Sequence, residues 1–258
     1  MSLRLLIPPT LAEAKIRARA ELLSTSLTAR LKQPVHVEAP KDYAEMEDRI
    51  ISGQAELAWL PPRLCARVLP SVRAIFRTVR RGGSTFRSAM VVRKDEITTL
   101  DALAGKRAAW TDPLSLGGHL LAVEYLRARG FVPRRLLATQ RFFGTYREAM
   151  GALVTGEADV AATPVTSADE TALRAQLNDL VGGAQRKLAV LAYSDEAPND
   201  AFVITRAVAE KDFEALADRL FPPGDKFRAT SVLLDALDAE GVVRAEAKDY
   251  KPLILLVR

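Results

Sequence analysis

Asp112-Pro113 is followed within six residues by Ser115, Gly117, Gly118 and His119, at the start of a helical pattern. A serine hydroxyl and the N–H groups of consecutive glycines at a helix start are donors for an anion, because the first turn leaves its N–H groups unpaired and the helix dipole favours negative charge. Ser115, His119 and Asp112 would also make a nucleophile, base and acid on paper. The Ser and His, however, belong to adjacent positions of one loop and helix start, with no nucleophile-elbow sequence around the Ser. Metal hydrolysis needs a cluster of His, Cys or carboxylates, and two distant histidines, His36 and His119, do not supply one. The chemistry expected of these residues is therefore binding. No catalytic residue, metal or cofactor is assigned.

The other candidates are loop residues at the carboxyl ends of strands, where α/β binders meet their ligands. They are Pro9 and Thr10, Tyr43, Trp59 and Pro61, Ser115 through His119 with Leu116 among them, Tyr146, Thr163 and Asn199. Thr10 either caps a helix or presents that helix start to a ligand, and the two roles are compatible. Trp59 ends an apolar strand against Pro61-Pro62, as core residue or stacking wall; the wall is the favoured reading. Trp110, within Ala108-Ala109-Trp110-Thr111, is equally a buried residue or a ligand contact. Tyr43 and Tyr146 begin corresponding helices. His119 either donates to an acidic ligand or is structural, and Cys65 is expected to be packed rather than reactive.

A repeated phrase shows what positions these residues. Residues 50–61 read Ile-Ile-Ser-Gly-Gln-Ala-Glu-Leu-Ala-Trp-Leu-Pro, and residues 153–164 read Leu-Val-Thr-Gly-Glu-Ala-Asp-Val-Ala-Ala-Thr-Pro. In each, a helical pattern stops at a Gly (Gly53, Gly156), an Ala and an acid follow, and a short apolar run leads to a Pro. Glycine just past a helix end supplies the left-handed closing position, and the apolar run suits a buried parallel strand. The elements before each copy match in order. Leu3–Ile7, a helix opened by Thr10 and Glu13 and running to about Leu31, Val35–Glu38, and a helix capped by Asp42 and Glu45 precede the first. Arg107–Trp110, a helix over Gly117–Arg129, Leu136–Thr139 and a helix over Thr145–Thr155 precede the second. Phe86–Arg93, Leu188–Tyr193 and Ala201–Thr205 are further strands, with helical patterns around Glu210–Leu220 and Asp225–Glu240. Two similar strand–helix halves, with crossings near residues 83–93 and 190–200, predict two lobes with a ligand cleft and a hinge.

The 258 residues suffice for two cores. No apolar run approaches the ~20 residues of a membrane helix, so no membrane span is expected. Net charge is +5, but the basic residues are spread along helix faces, and a solvated surface rather than nucleic-acid binding is expected. Leu5-Leu6-Ile7 meets Pro8-Pro9 at once, too short for a secretory signal, and the single cysteine suits a reducing compartment. The expected location is cytoplasmic, or periplasmic if a leader has been removed, and the expected state is a monomer.

Together these stretches resemble the solute-binding proteins of phosphate/phosphite/phosphonate ABC transporters. The resemblance is carried by Tyr43 through Pro62, Phe86 through Asp95, Leu100 through Arg107, Asp112 through His119, Gly144-Thr145-Tyr146 and Pro198 through Phe202. It implies an α/β, two-lobed type-2 periplasmic-binding-protein fold, each lobe a mostly parallel sheet flanked by helices. Residues 1–88 and 196–258 would form one lobe and 89–195 the other. It also implies an anion loop after the Asp-Pro, rich in Ser and Thr before a Gly. Here that loop offers Ser115, Leu116, Gly117 and Gly118, one hydroxyl where the family pattern has several, and Tyr146 stands where that pattern often has a small residue or His. The expected function is a solute-binding-type sensor or carrier for a small organic ligand other than a simple phosphonate, anionic if it uses the helix start. A signalling or transport protein partner is a further expectation. The alternative is a cytoplasmic enzyme of the same fold, such as a dehydratase or lyase on a small carboxylated metabolite.

Overall fold

In a computed structural model the chain is described at residues 2–9, 13–166, 170–222 and 232–257. It begins β1 (Leu3–Leu6), α1 (Glu13–Leu31), β2 (Val35–Glu38), α2 (Tyr43–Ile51), β3 (Leu57–Leu60), α3 (Pro62–Arg67) and β4 (Val72–Val79). It continues β5 (Thr85–Arg93), β6 (Arg107–Trp110), a π-type turn (Leu116–Leu120), α4 (Leu121–Ala128), α5 (Pro133–Leu136), β7 (Thr139–Phe142), α6 (Tyr146–Val154), β8 (Val160–Val165), α7 (Glu170–Val181) and β9 (Leu188–Tyr193). It closes with β10 (Ala197–Pro198), β11 (Ala201–Thr205), α8 (Phe213–Leu220), α9 (Val232–Ala236), β12 (Gly241–Ala245) and α10 (Ala247–Tyr250). Residues 1–84 with 198–258 form one compact unit and 85–197 a second, so the chain passes between them at 84/85 and 197/198.

The first unit is built on a six-stranded sheet, β12-β4-β11-β3-β1-β2. Its β2, β1 and β3 are parallel, as right-handed strand–helix–strand units require. The remaining pairings, β3 with β11 and β4 with β11 and β12, are antiparallel. Leu23, Leu27 and Leu31 of α1, Leu216 and Leu220 of α8 and Leu233 of α9 bury one face of it against Leu5, Leu57, Phe76 and Phe202. Phe221 meets Phe76 and Phe202 at ring-centroid distances of 4.6 and 5.3 Å.

The second unit has β6 parallel to β7 and β8, and β5 antiparallel to β8 and β9. Both faces of this sheet are covered. Ala89 and Val91 pack with Met150, Leu153, Leu173 and Leu177, while the alternate residues Met90 and Val92 pack with Trp110, Ala122 and Leu126. Each sheet is thus mixed: the parallel strands are those of the repeated halves, and the antiparallel ones carry the chain in and out.

The repeated phrase folds alike in both units. Gly53 and Gly156 take φ of +72° and +80°, the left-handed conformation that glycine adopts at no steric cost. Beyond them the acid of each copy grips an arginine on the central strand. Glu56 accepts from the Arg4 backbone N–H (2.8 Å) and guanidinium (3.1 Å), and its own N–H donates to the Arg4 carbonyl (3.2 Å). Asp159 accepts from the Arg107 N–H (2.9 Å) and guanidinium (2.9 Å), and donates to the Arg107 carbonyl (2.8 Å). The repeat is therefore a clamp that fixes where the strand of each central helix–strand connection begins.

Several local expectations shift. The strand expected at Leu136–Thr139 lies at Thr139–Phe142, because Pro133 opens a single helical turn first and Leu137 is buried beneath the α4 layer. The helix expected over Gly117–Arg129 begins as a π-type turn at Leu116 and ends at Ala128. Thr145 caps α6 in a reciprocal capping box with Glu148. β4 and β12 are additional strands. Arg73 and Arg77 alternate with buried Val72, Ala74 and Phe76 on β4, and Arg73 donates to the Val208 carbonyl. The expected Thr10 cap and residues 225–231 of the last helical pattern lie outside the described residues.

Candidate ligand-binding site

The carboxyl end of β6 leads directly into the loop that carries Ser115. Asp112 accepts from Leu114 N–H (2.7 Å) through its side chain and from Ser115 N–H (3.0 Å) through its carbonyl, which folds the loop back on itself. Ser115 then caps the helix, its Oγ accepting from Gly118 N–H at 3.1 Å. The Leu120 N–H reaches back five residues to the Ser115 carbonyl (3.0 Å), so the first turn is wider than an α-helical one. Such π-type turns recur at functional sites. The N–H groups of Leu116 and Gly117 have no acceptor among the described residues.

The two glycines stand where there is no room for a side chain. A Cβ on Gly117 would lie 2.7 Å from Pro164 Cβ and 3.3 Å from the Phe86 ring, and the Gly117 carbonyl accepts from Ser88 Oγ at 2.7 Å. A Cβ on Gly118 would lie 2.3 Å from Thr111 Oγ1 and 2.9 Å from Tyr146 Cε1. Gly118→Ala should therefore cost about 1–3 kcal/mol through overpacking. Gly151→Ala, within α6 and with open space at its Cβ, should stabilise by about 0.5–1 kcal/mol. Chemical denaturation of the two variants side by side checks both signs.

Within the second unit the structure brings together Ser115, Leu116, Gly117, Gly118 and Tyr146. The Tyr146 hydroxyl is 3.2 Å from Ser115 Oγ, and burial raises its pKa. Thr163 is fully buried and accepts from Gln176 Nε2 at 2.8 Å, and its neighbour Pro164 packs on Gly117. His119 is turned to the protein. Its Nδ1–H donates to the Pro113 carbonyl (2.9 Å), and its ring lies between Trp110 (5.6 Å) and the edge-on Phe142 (5.0 Å). Desolvation lowers its pKa, which keeps the imidazole neutral near pH 7. The Gly118 N–H, expected to face an anion, is taken by Ser115. Trp110 is fully buried with Nε1 on Gln140 (3.0 Å), which decides its role in favour of packing.

In the first unit, Trp59 is half-buried, with Nε1 donating to Asp200 (3.3 Å) and the Arg19 guanidinium 5.6 Å from its ring. Asp200 also holds Arg80 at 2.9 Å. Tyr43 opens α2 and Pro61 caps α3, both half-buried, and Pro9 is half-buried just before residues outside the description, which include Thr10. Asn199 is a structural pin. It is buried, its amide donates to the Thr78 and Gly83 carbonyls (3.1 Å each), and its carbonyl accepts from Tyr250 Oη (2.8 Å). Cys65 is buried as expected, and desolvation raises its thiol pKa far above the ordinary value.

One residue of the site carries no sequence signal beyond its place at the end of β6. Thr111 is only 7% exposed, and its Oγ1 has no hydrogen-bond partner among the described residues. Its N–H donates to the Gly118 carbonyl (3.3 Å) and its own carbonyl accepts from Gly144 (2.8 Å), which holds it under the helix start.

Comparison with known proteins bears on this arrangement. The family model described as "ABC transporter, phosphonate, periplasmic substrate-binding protein" matches residues 5–250. Among solved structures, XAC2383 from Xanthomonas citri bound to chloride superposes with a TM-score of 0.78 at 16% identity, covering 99% of this chain and 97% of that one. The same protein bound to ATP gives 0.76 at 15%, covering 99% and 96%. PhnD1 from Prochlorococcus marinus in complex with methylphosphonate gives 0.67 at 18%, also covering 99% and 96%. At such identities the likeness shows the fold, a two-lobed α/β fold of the periplasmic-binding-protein kind. The curated proteins give no match. Among the described residues, no helix is long and apolar enough to cross a membrane.

Proposed function

This chain belongs to the family of periplasmic substrate-binding proteins of phosphonate ABC transporters, and from that premise we propose that it binds a small organic ligand at the Ser115–Gly118 helix start, with a preference for a ligand that has an apolar or planar part over a simple phosphonate. The observation that carries the reading is the state of the donors. Among the described residues, the Leu116 and Gly117 N–H groups have no acceptor, and such groups favour an electron-rich ligand group. Ser115 is the one side-chain hydroxyl in the loop, and it is engaged with Gly118 and Tyr146. A dehydrated phosphonate needs several charge-assisted hydrogen bonds, each worth on the order of 1.5–3 kcal/mol. Exposed Leu114 and Phe142, 63% and 44% accessible, flank the loop with apolar surface. The ATP complex of XAC2383 supports the same reading, because there a related scaffold takes a ligand with a planar base.

The proposed role is that of carrier or sensor, delivering or reporting ligand occupancy to a transport or signalling protein. Native mass spectrometry of gently purified protein should show a stoichiometric, chemically unmodified metabolite. Calorimetry with methylphosphonate, phosphate, ATP and aromatic carboxylates should rank a planar anion above methylphosphonate. Submicromolar binding of methylphosphonate by the wild-type chain would overturn the proposal.

A further inference from the structure

We propose that Tyr146 is the specificity-determining residue of this helix start: its hydroxyl takes the place on Ser115 that a tetrahedral oxyanion would take, and it closes a latent oxyanion pocket whose buried donor is Thr111. The inference rests on the ligand reading above and goes further, because it moves the cause of selectivity from the missing hydroxyls of the loop to one side chain outside it.

Three observations within the second unit converge. The first is the 3.2 Å contact between Ser115 Oγ and Tyr146 Oη, which occupies the hydroxyl that is left in the loop. The second is steric. Tyr146 Cε1 and Thr111 Oγ1 both lie within 3 Å of the point where a Gly118 Cβ would stand. The tyrosine ring, the threonine hydroxyl and the glycine therefore meet at one place. The third is the unpartnered Thr111 hydroxyl itself. It is more than nine-tenths buried, and it lies under a helix start whose Leu116 and Gly117 N–H groups, like the hydroxyl, have no partner among the described residues. A buried hydroxyl without a partner is costly and calls for an explanation. Hydroxyls cannot simply be returned to the loop. A Cβ at Gly117 meets Pro164, and one at Gly118 meets Thr111 and Tyr146, so a serine at either position does not fit while those neighbours stay. Tyr146 is the obstacle that can be removed, because it opens α6 as its first residue and Thr145, not Tyr146, makes the cap.

The test is calorimetry with methylphosphonate and with inorganic phosphate on wild type, Tyr146→Ser, Tyr146→Phe and the double variant Tyr146→Ser/Thr111→Val, each with a thermal melt. Tyr146→Ser should bind methylphosphonate at least about tenfold more tightly than wild type. Tyr146→Phe, which frees Ser115 but keeps the ring beside Thr111, should gain only part of this, and a gain in Tyr146→Phe equal to that of Tyr146→Ser would overturn the part given to the ring. The double variant should lose most of the gain. Tyr146→Asn serves as a second opening variant where Tyr146→Ser folds poorly. Folded opening variants without any gain would overturn the proposal, and a double variant that keeps the full gain would overturn the part given to Thr111. Wild-type binding of ATP or an aromatic carboxylate is read separately. Its failure beside a gain in Tyr146→Ser would sink the proposed ligand class and leave this inference standing.

Discussion

Trp110→Ala should destabilise the second unit by about 3–5 kcal/mol, the range for removing a fully buried aromatic side chain. The ring has no exposed surface and packs with Met90, Val92, Leu103, Ala122 and Leu126. Its Nε1 is also committed to Gln140, so truncation leaves an unpaired amide as well as a cavity. The chain has two tryptophans. In the variant, fluorescence therefore reports Trp59 and the first unit, while circular dichroism reports both units. Urea denaturation should show the dichroism transition moving to much lower denaturant. Trp59→Ala, from a half-buried ring with one long hydrogen bond, should cost roughly half as much or less. Equal losses from the two substitutions, or a loss below about 1 kcal/mol for Trp110→Ala, would contradict the assignment of Trp110 to the core. Because the His119 ring packs at a tilt against Trp110, with centroids 5.6 Å apart, ligand affinity at the helix start should fall in the same variant.

The difference between these two tryptophans was only partly legible in the sequence. Both stand at the end of an apolar strand, and local pattern does not say whether a strand end is covered. What could be read was the punctuation. Gly53 and Gly156, and Asp42 with Glu45, each perform the local task their residue types imply, because caps and left-handed turns depend on neighbours a few residues away. The strand expected at Leu136–Thr139 is displaced to Thr139–Phe142, an edge strand with mostly exposed side chains that is held by its pairing to β6. Of the two strands not expected, Gly241–Ala245 is held at the sheet edge by β4, a non-local cause, whereas Val72–Val79 carries its apolar residues in its own sequence and pairs on both sides.

At the candidate site the same division holds. The helix start at Ser115–Gly118 and the placing of Tyr146 at the head of a helix follow from residue type and order; the contact between Ser115 and Tyr146 does not. The commitment of the Gly118 N–H to Ser115, the turning of His119 toward Pro113 and the use of Asn199 to pin Thr78 and Gly83 arise from partners distant in sequence or from loop closure. Thr111 shows the limit most clearly. A threonine after a tryptophan at a strand end is unremarkable as sequence, and becomes informative only when its hydroxyl is found buried without a partner.

The second large effect is expected at the repeated acid. Asp159 accepts from the Arg107 guanidinium and backbone N–H and from Arg93 (2.9 Å each), and its side chain is 13% exposed. Arg107, chiefly through its side-chain hydrogen bond and then its N–H, with Arg93 adding to both, holds the carboxyl well below the ordinary carboxylate range. A carboxyl whose folded pKa lies below its unfolded value of about 3.9 stabilises the fold above that pH, and the contribution is lost as the pH falls through and below it. Asp159→Asn should therefore cost about 2–3 kcal/mol at pH 7, the scale of a few hydrogen bonds to a charged group, with Arg93 and Arg107 left facing each other without their shared anion. Below about pH 4 the wild type should lose stability faster than the variant, so the gap between them narrows. Glu56→Gln removes the equivalent grip on Arg4 in the first unit and should cost a similar amount at pH 7. Urea denaturation of wild type and Asp159→Asn from pH 7 to pH 3 provides the measurement. A gap that stays constant over that range would mean that the carboxylate charge contributes nothing and that Asp159 acts only through its shape.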